Sequence, residues 1–210
     1  MQLKPATVFN VSILLLAVLC SGAFAQEMPV PSPPVLGAKS YLVIDGNSGY
    51  EIASLSPDES LAPASLTKLM SAYAIFKALD EEQISIDDPV TVSEKAWRTP
   101  GSRMFIEVGT RVTIRDLLMG MIVQSGNDAS VALAEHVAGS ESVFADVMNR
   151  YASALGMNSS NFVNATGLPG ESHYSTARDM ATLAQAIINE FPDYYEWYSV
   201  KEFTYNEITQ

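Results

Sequence analysis

The chain has 210 residues, 24 of them acidic and 12 basic, so its formal charge at neutral pH is −12. Hydrophobic residues make up 48% of it, which excludes a disordered acidic tail because such tails lack apolar side chains to bury. The acidity also argues against a nucleic-acid partner, since basic side chains supply most of that affinity. The composition therefore indicates a folded domain with a hydrophobic core.

The N-terminal segment has the pattern of an export signal. Lys4 precedes an apolar stretch over residues 8–19, and Ala23–Ala25 offers small residues where a signal peptidase cleaves. The stretch is too short for a membrane-spanning helix, which needs about 20 apolar residues. The sequence therefore predicts a signal peptide over residues 1–25, a periplasmic protein, and a Pro-rich extended leader over residues 26–37.

Two short β-rich runs follow the leader and indicate a hairpin. They cover residues 40–44 and 50–54 and flank a turn rich in Gly, Asn and Asp. A two-stranded hairpin is marginal alone, so we expect more strands beside it. Over residues 63–79 apolar side chains then cover almost the whole helical circumference, which predicts a helix buried on all sides.

Helical periodicity continues through most of the remaining sequence. Two capping boxes, Thr113 with Asp116 and Thr176 with Asp179, mark helix starts. A tyrosine-rich stretch over residues 194–205 is interpreted as packing for a strand at residues 202–205. The predicted helices cover residues 114–123, 129–138, 142–155 and 177–191.

Ser65 and Lys68 are the first pair that indicates chemistry. Residues three apart share one helix face, with about 5–6 Å between Cβ atoms, so hydroxyl and amine can meet. Serine becomes a strong nucleophile only when a base takes its proton, and lysine is such a base only if burial lowers its pKa. The apolar helix supplies that burial, so the pair predicts a nucleophile and its general base. A capping serine beside a solvated lysine is the alternative.

Ser125, Gly126 and Asn127 form a second candidate element, between two predicted helices. A hydroxyl and a carboxamide two residues apart can face one cleft, and Gly126 allows close approach. We expect Ser125 to pass a proton to a leaving amine and Asn127 to bind a substrate carbonyl. An ordinary loop with a helix cap is the alternative, because motifs this short also occur by chance.

Both elements match the Ser-x-x-Lys and Ser-x-Asn motifs of penicillin-binding proteins and β-lactamases. The resemblance implies an α+β fold of the β-lactamase/DD-peptidase type, in which helices flank an antiparallel sheet and an all-helical subdomain is inserted. Longer segments, which cover about residues 37–210, resemble the serine D-alanyl-D-alanine carboxypeptidases, the low-molecular-mass penicillin-binding proteins. These segments are PASLTKLM, LLMGMIVQSGNDASVALAEHVAGS, MNRYASALGMNSSNFVNATGLPG and HYSTARDMATLAQAII.

That resemblance also implies a reaction and its partners. The family removes the terminal D-alanine from peptidoglycan stem peptides, and β-lactams acylate the same serine as substrate mimics. By resemblance, Ser65 forms the acyl-enzyme and Lys68 is the general base. Ser125 then completes the proton relay and Asn127 contacts the substrate. No cofactor and no metal is implied.

The sequence departs from the family in one motif. No Lys-Thr-Gly occurs, since Ala165 precedes Thr166 and Gly167. We therefore expect residues 38–210 to be the N-terminal part of the catalytic domain, with its C-terminal strands missing. The activity of the 210-residue chain stays open, and we expect membrane anchoring only through a tail beyond this chain.

Two other functions remain as alternatives. A class A-like β-lactamase is disfavoured because Gly126 stands where that family has Asp, and because the loop after residues 164–170 contains no Glu-x-x-x-Asn. An inactive penicillin- or wall-binding fragment is the alternative from a different class. His136 and His173 lack zinc-ligand spacing, although His173 lies in a loop that borders the cleft in the resembling family and is a candidate substrate contact.

Overall fold

A computed structural model of the chain describes residues 33–210. The predicted signal peptide and most of the predicted leader lie outside the described residues. Residues 33–36 carry no helix or strand, and Gly37–Gln210 form one compact unit. Within residues 33–210, no helix is both long enough and apolar enough to cross a membrane.

Seven α-helices and three two-stranded antiparallel sheets make up the described part of the chain. The strands are β1 (Tyr41–Ile44), β2 (Glu51–Leu55), β3 (Pro89–Thr91), β4 (Arg111–Thr113), β5 (Thr204–Tyr205) and β6 (Ile208–Thr209). The helices are α1 (Thr67–Asp80), α2 (Glu94–Arg98), α3 (Ile114–Val123), α4 (Asn127–Ala138), α5 (Glu141–Ala154), α6 (Ala177–Glu190) and α7 (Pro192–Tyr195). Short 3-10 turns, Ala64–Leu66 and Glu196–Ser199, precede α1 and follow α7.

The predicted hairpin is confirmed by the pairing of β1 with β2. Tyr41 lies opposite Leu55 in an antiparallel register. Asp45 organises the turn, because its Oδ1 accepts a hydrogen bond of 2.7 Å from the N–H of Ser48. Helix α6 packs on β1, and Gln185 of α6 donates to the carbonyl of Gly46 at 2.8 Å.

Helix α1 is the buried central helix that its apolar circumference predicted. Met70, Ile75 and Phe76 have no exposed surface, and α1 packs against α4, α5, α6 and α3. A helix packed on all sides cannot move without disturbing its neighbours. The start of α1 is therefore a rigid support for whatever side chains it carries.

The four later helices confirm the periodicity predictions with small shifts at their ends. Helix α3 covers the predicted residues, whereas α4 begins at Asn127, ahead of its predicted start. Both capping boxes form helix caps: the hydroxyls of Thr113 and Thr176 accept hydrogen bonds from the N–H groups of Asp116 and Asp179, each at 3.1 Å.

The C-terminal segment folds differently from its predicted strand packing. Residues 192–199 form α7 and a 3-10 turn, and Tyr194 of α7 packs on α1. The ring of Tyr194 stacks on Phe76 with 4.6 Å between centroids. Strand β5 does lie in the predicted run, but it pairs with β6 in a local hairpin. In residues 33–210, the antiparallel strands form separate pairs and no larger sheet.

Replacing Thr176 by Ala should lower the free energy of unfolding by about 1 kcal/mol, because the helix α6 loses its N-terminal cap. Urea denaturation followed by circular dichroism measures this loss. The control is Thr182→Ala in the middle of α6, because the Thr182 hydroxyl donates to the carbonyl of Arg178 at 3.2 Å and caps no helix. We expect the control to change stability by less than about 0.5 kcal/mol. Equal losses in both variants would contradict the capping role.

Candidate active site

Three of the four predicted site residues line one cavity. Ser65 comes from the 3-10 turn, Lys68 from the first turn of α1, and Ser125 from the turn between α3 and α4. The cavity has a volume of about 150 Å³. Its remaining walls are mostly apolar and consist of Leu66, Leu69, Met121, Ile122 and Tyr198. The fold therefore brings two hydroxyls and one amine to a common space with little polar surface around them.

The turn that carries Ser65 is conformationally strained. Ala64 has φ +48°, in the left-handed region that residues with a side chain rarely adopt. Gly167 packs directly on this turn, since a Cβ at Gly167 would collide with the Ala64 carbonyl. Ser65 itself is exposed. The strain thus presents the serine to incoming molecules at the N-terminus of a buried helix, where N–H groups favour negative charge.

Lys68 is buried, and no carboxylate within residues 33–210 is paired with it. Only 6% of its surface is exposed, and its Nζ donates to Asn127 Oδ1 and to the Thr166 carbonyl, both at 2.7 Å. Burial disfavours the ammonium form and lowers the pKa of Lys68 to about 8. About one lysine side chain in ten is then a neutral amine at pH 7, against fewer than about one in a thousand at the ordinary pKa. Lys68 can therefore act as a base.

Asn127 lies behind Lys68, with both ends of its amide engaged. Its Oδ1 accepts from Lys68, and its Nδ2 donates to the Pro100 carbonyl at 2.7 Å. Gly101 makes this possible, because it has φ +93° and a Cβ there would lie 2.6 Å from Nδ2. The geometry shows that Asn127 holds the lysine. Its predicted contact with a substrate carbonyl stays a prediction.

Ser125 carries an unsatisfied polar group. Within residues 33–210 its buried Oγ has no hydrogen-bond partner, and its backbone has φ +58°. A buried hydroxyl without a partner costs about 1–3 kcal/mol. Because Ser125 also lines the cavity, its hydroxyl is available to a bound molecule.

The loop that follows Val163 contributes a contact that the sequence did not predict. The side-chain oxygen of Asn164 accepts from the N–H groups of Thr166 and Gly167, at 3.1 and 2.8 Å. This folds the loop back, so that the Thr166 carbonyl reaches Lys68. The Asn and Gly residues are a turn signal in the sequence. This turn signal does not predict which backbone carbonyl accepts a hydrogen bond from Lys68.

Neither histidine lines the cavity. His173 is buried, with Nε2 2.8 Å from Thr67 Oγ1 and Nδ1 accepting from the N–H of Val163 at 3.1 Å. His136 is exposed on α4. Among residues 33–210, no group of three or more His, Cys, Asp or Glu side chains is arranged to hold a metal ion.

Replacing Gly167 by Ala should lower the free energy of unfolding by about 2–5 kcal/mol, from an unfavourable φ and a collision with the Ala64 carbonyl. The matched control is Gly109→Ala, since Gly109 has a similar φ of +77° against +83° for Gly167, but no atom of residues 33–210 lies within 4 Å of an added Cβ there. We expect the control to lose only about 1 kcal/mol. Urea denaturation measures both variants, and equal losses would contradict the close packing of the loop on the Ser65 turn.

Related sequences are similar over most of this chain. Residues 27–210 match the family model for D-alanyl-D-alanine carboxypeptidases. The D-alanyl-D-alanine carboxypeptidase DacC of Escherichia coli strain K12 is 44% identical over 194 residues, which are 90% of this chain and 48% of that protein. The carboxypeptidase DacA of Haemophilus influenzae is 43% identical over 182 residues, which are 85% of this chain and 46% of that protein.

Solved structures show the same similarity. Penicillin-binding protein 5 from Haemophilus influenzae has a TM-score of 0.84 and 42% identity, over 86% of this chain and 54% of that one. Penicillin-binding protein 6B from Escherichia coli has a TM-score of 0.81 and 41% identity, over 86% of this chain and 59% of that one. These likenesses confirm the α+β fold of the DD-peptidase type, although the chain spans only about half the length of its curated relatives. The chain belongs to the D-alanyl-D-alanine carboxypeptidase family.

Proposed function

We propose that the protein is a serine-type D-Ala-D-Ala carboxypeptidase, which removes the terminal D-alanine from peptidoglycan stem peptides through a Ser65 acyl-enzyme. The observation that carries this proposal is a single cavity shared by Ser65, Ser125 and a lysine whose amine is partly neutral at pH 7 because burial lowers its pKa. The names of the relatives support the substrate class, since DacC and DacA are called D-alanyl-D-alanine carboxypeptidases. They favour a peptidase over a β-lactamase or an inactive binding fragment.

Acylation begins at the neutral amine of Lys68. It accepts the proton of Ser65 as Oγ attacks the carbonyl carbon of the penultimate D-alanine. N–H groups at the start of the buried helix stabilise the negative charge that develops beside Ser65. Asn127 and the Thr166 carbonyl hold Nζ in place during this transfer.

Ser125 completes the proton relay. Its hydroxyl, which has no hydrogen-bond partner in the described part of the chain, passes the proton from Lys68 to the leaving amine, so D-alanine departs and an ester remains on Ser65. Water then attacks the ester with Lys68 again as base, which releases the shortened peptide and restores the serine. A β-lactam undergoes the same attack, but its leaving amine stays tethered to the acyl group and blocks the site.

The proposal includes export to the periplasm, where peptidoglycan stem peptides are found. The export pattern of residues 1–25 supports this location. The net charge of −12 supports the absence of a nucleic-acid partner. Asn127 is assigned to the substrate side as well, through the second N–H of its Nδ2, since the first donates to the Pro100 carbonyl.

Replacing Ser65 by Ala should abolish covalent labelling by a fluorescent penicillin, because no other group then receives the acyl chain. Gel fluorescence measures the label, and Ser153→Ala, an exposed serine on α5, is the control that should label normally. Labelling that survives Ser65→Ala would refute this nucleophile. A folded wild-type chain that takes no label would favour the inactive fragment. Fast penicillin hydrolysis without D-alanine release from a D-Ala-D-Ala peptide would favour a β-lactamase.

The rate of acylation should depend on the protonation of Lys68. Because its pKa is lowered to about 8, the neutral base disappears below that pH. We expect the second-order acylation rate constant to fall about tenfold per pH unit below pH 8 and to level off above it. Stopped-flow fluorescence measures the profile, and Lys201→Met, which removes an exposed lysine, should leave it unchanged. A flat profile between about pH 6 and pH 9 would contradict the lysine base.

A further inference from the structure

His173 joins the two segments that hold Lys68. On one side its Nε2 lies 2.8 Å from the hydroxyl of Thr67, the residue that precedes Lys68 in α1. On the other side its Nδ1 accepts a hydrogen bond of 3.1 Å from the N–H of Val163. Val163 begins the loop whose Thr166 carbonyl accepts from Lys68 Nζ at 2.7 Å. One imidazole ring therefore connects the helix start to the loop.

The two bonds define the protonation state of the ring. Because Nδ1 accepts from a backbone N–H, the neutral ring carries its proton on Nε2 and donates it to Thr67 Oγ1. Burial lowers the pKa of His173 and so favours this neutral form. The Phe162 ring packs edge-on against the imidazole, with 5.9 Å between centroids. Its side-chain hydrogen-bond partners in the described part of the chain carry no charge.

Water cannot easily replace this bridge. Thr67 is 0% exposed and His173 is 7% exposed, so loss of either partner would leave a buried polar group without a bond. The same loop touches the Ser65 turn through Gly167, which packs on the Ala64 carbonyl. A loop released from His173 would therefore carry the Thr166 carbonyl away from Lys68 and loosen the support of the Ser65 turn.

We propose that His173 is a positioning residue for the acylation of Ser65, because its bridge from Thr67 to Val163 keeps Lys68 in place. The kinetic consequence rests on the proposed function, whereas the structural claim concerns Lys68 alone. Displacing a reacting group by about 1 Å can lower a rate about 100-fold. Loss of the bridge should slow acylation without removing any group that reacts.

The test compares three variants of the full chain with the wild type. His173→Ala removes both bonds, Thr67→Val removes one at nearly constant shape, and His173→Gln retains one acceptor and one donor. We expect His173→Ala and Thr67→Val to be acylated by fluorescent penicillin about 10- to 100-fold more slowly, and His173→Gln to recover most of the rate. His136→Ala, which removes an exposed histidine, is the control and should react normally.

A second measurement separates this inference from the proposed function. NMR of protein with ¹⁵N-labelled lysine reports the pKa of Lys68 without any reaction. Loss of the bridge should admit water to Nζ and raise the pKa of Lys68 from about 8 towards its ordinary value of 10.5. The control His136→Ala should leave the pKa unchanged, and His173→Gln should keep it near the wild-type value.

The two measurements give distinct outcomes. An unchanged Lys68 pKa in folded His173→Ala and Thr67→Val would overturn the positioning role, whatever the acylation rates. A raised pKa in a protein whose wild-type form never reacts with penicillin would support the positioning role and refute the proposed function. If His173→Ala does not fold, the pKa of Lys68 in Thr67→Val decides by the same criterion.

Discussion

The burial of the Lys68 amine is the constraint on which the rest of the site depends. A buried ammonium is costly unless a carboxylate faces it, and the acceptors here are an amide oxygen and a backbone carbonyl. For that reason the neutral form of the Lys68 amine is populated, and Ser65 beside it can lose its proton to that amine. The packing of α1 keeps this amine buried beside the cavity, and Asn127 and the Thr166 carbonyl hold it by hydrogen bonds.

The backbone is strained at two residues near Lys68, and the packing of the core prevents it from relaxing. Ala64 and Ser125 adopt left-handed conformations that cost about 1–3 kcal/mol each. Such strain persists only where packing prevents relaxation, and here α1 and α4 are buried along most of their length. Gly101 and Gly167 then bring two loops within reach of Asn127 and the Ser65 turn. The buried helices α1 and α4 thus hold the two strained turns and the two loops in place, which loops alone would not do.

Local features of this fold could be predicted from the sequence, and long-range features could not. Helices α1, α3 and α6 follow from periodicity and caps, and the Ser65–Lys68 pair follows from helical spacing. Strands β3 and β4 are too short to show a period. Lys68 and Thr166 are 98 residues apart in the sequence, and Thr67 and His173 are 106 apart. No local sequence pattern predicts contacts between residues so far apart. Tyr194 and Tyr195 favour strands by propensity, but they lie in α7, where Tyr194 stacks on Phe76 of α1.

Burial makes the neutral amine of Lys68 available as the base that activates Ser65. Mass spectrometry of the folded protein after brief exposure to benzylpenicillin, with peptide mapping of the adduct, measures this activation at the residue itself. We expect one penicilloyl group per chain, attached to Ser65, at a rate that falls as pH decreases below about 8. An adduct on another residue, or none on protein shown to be folded, would contradict it.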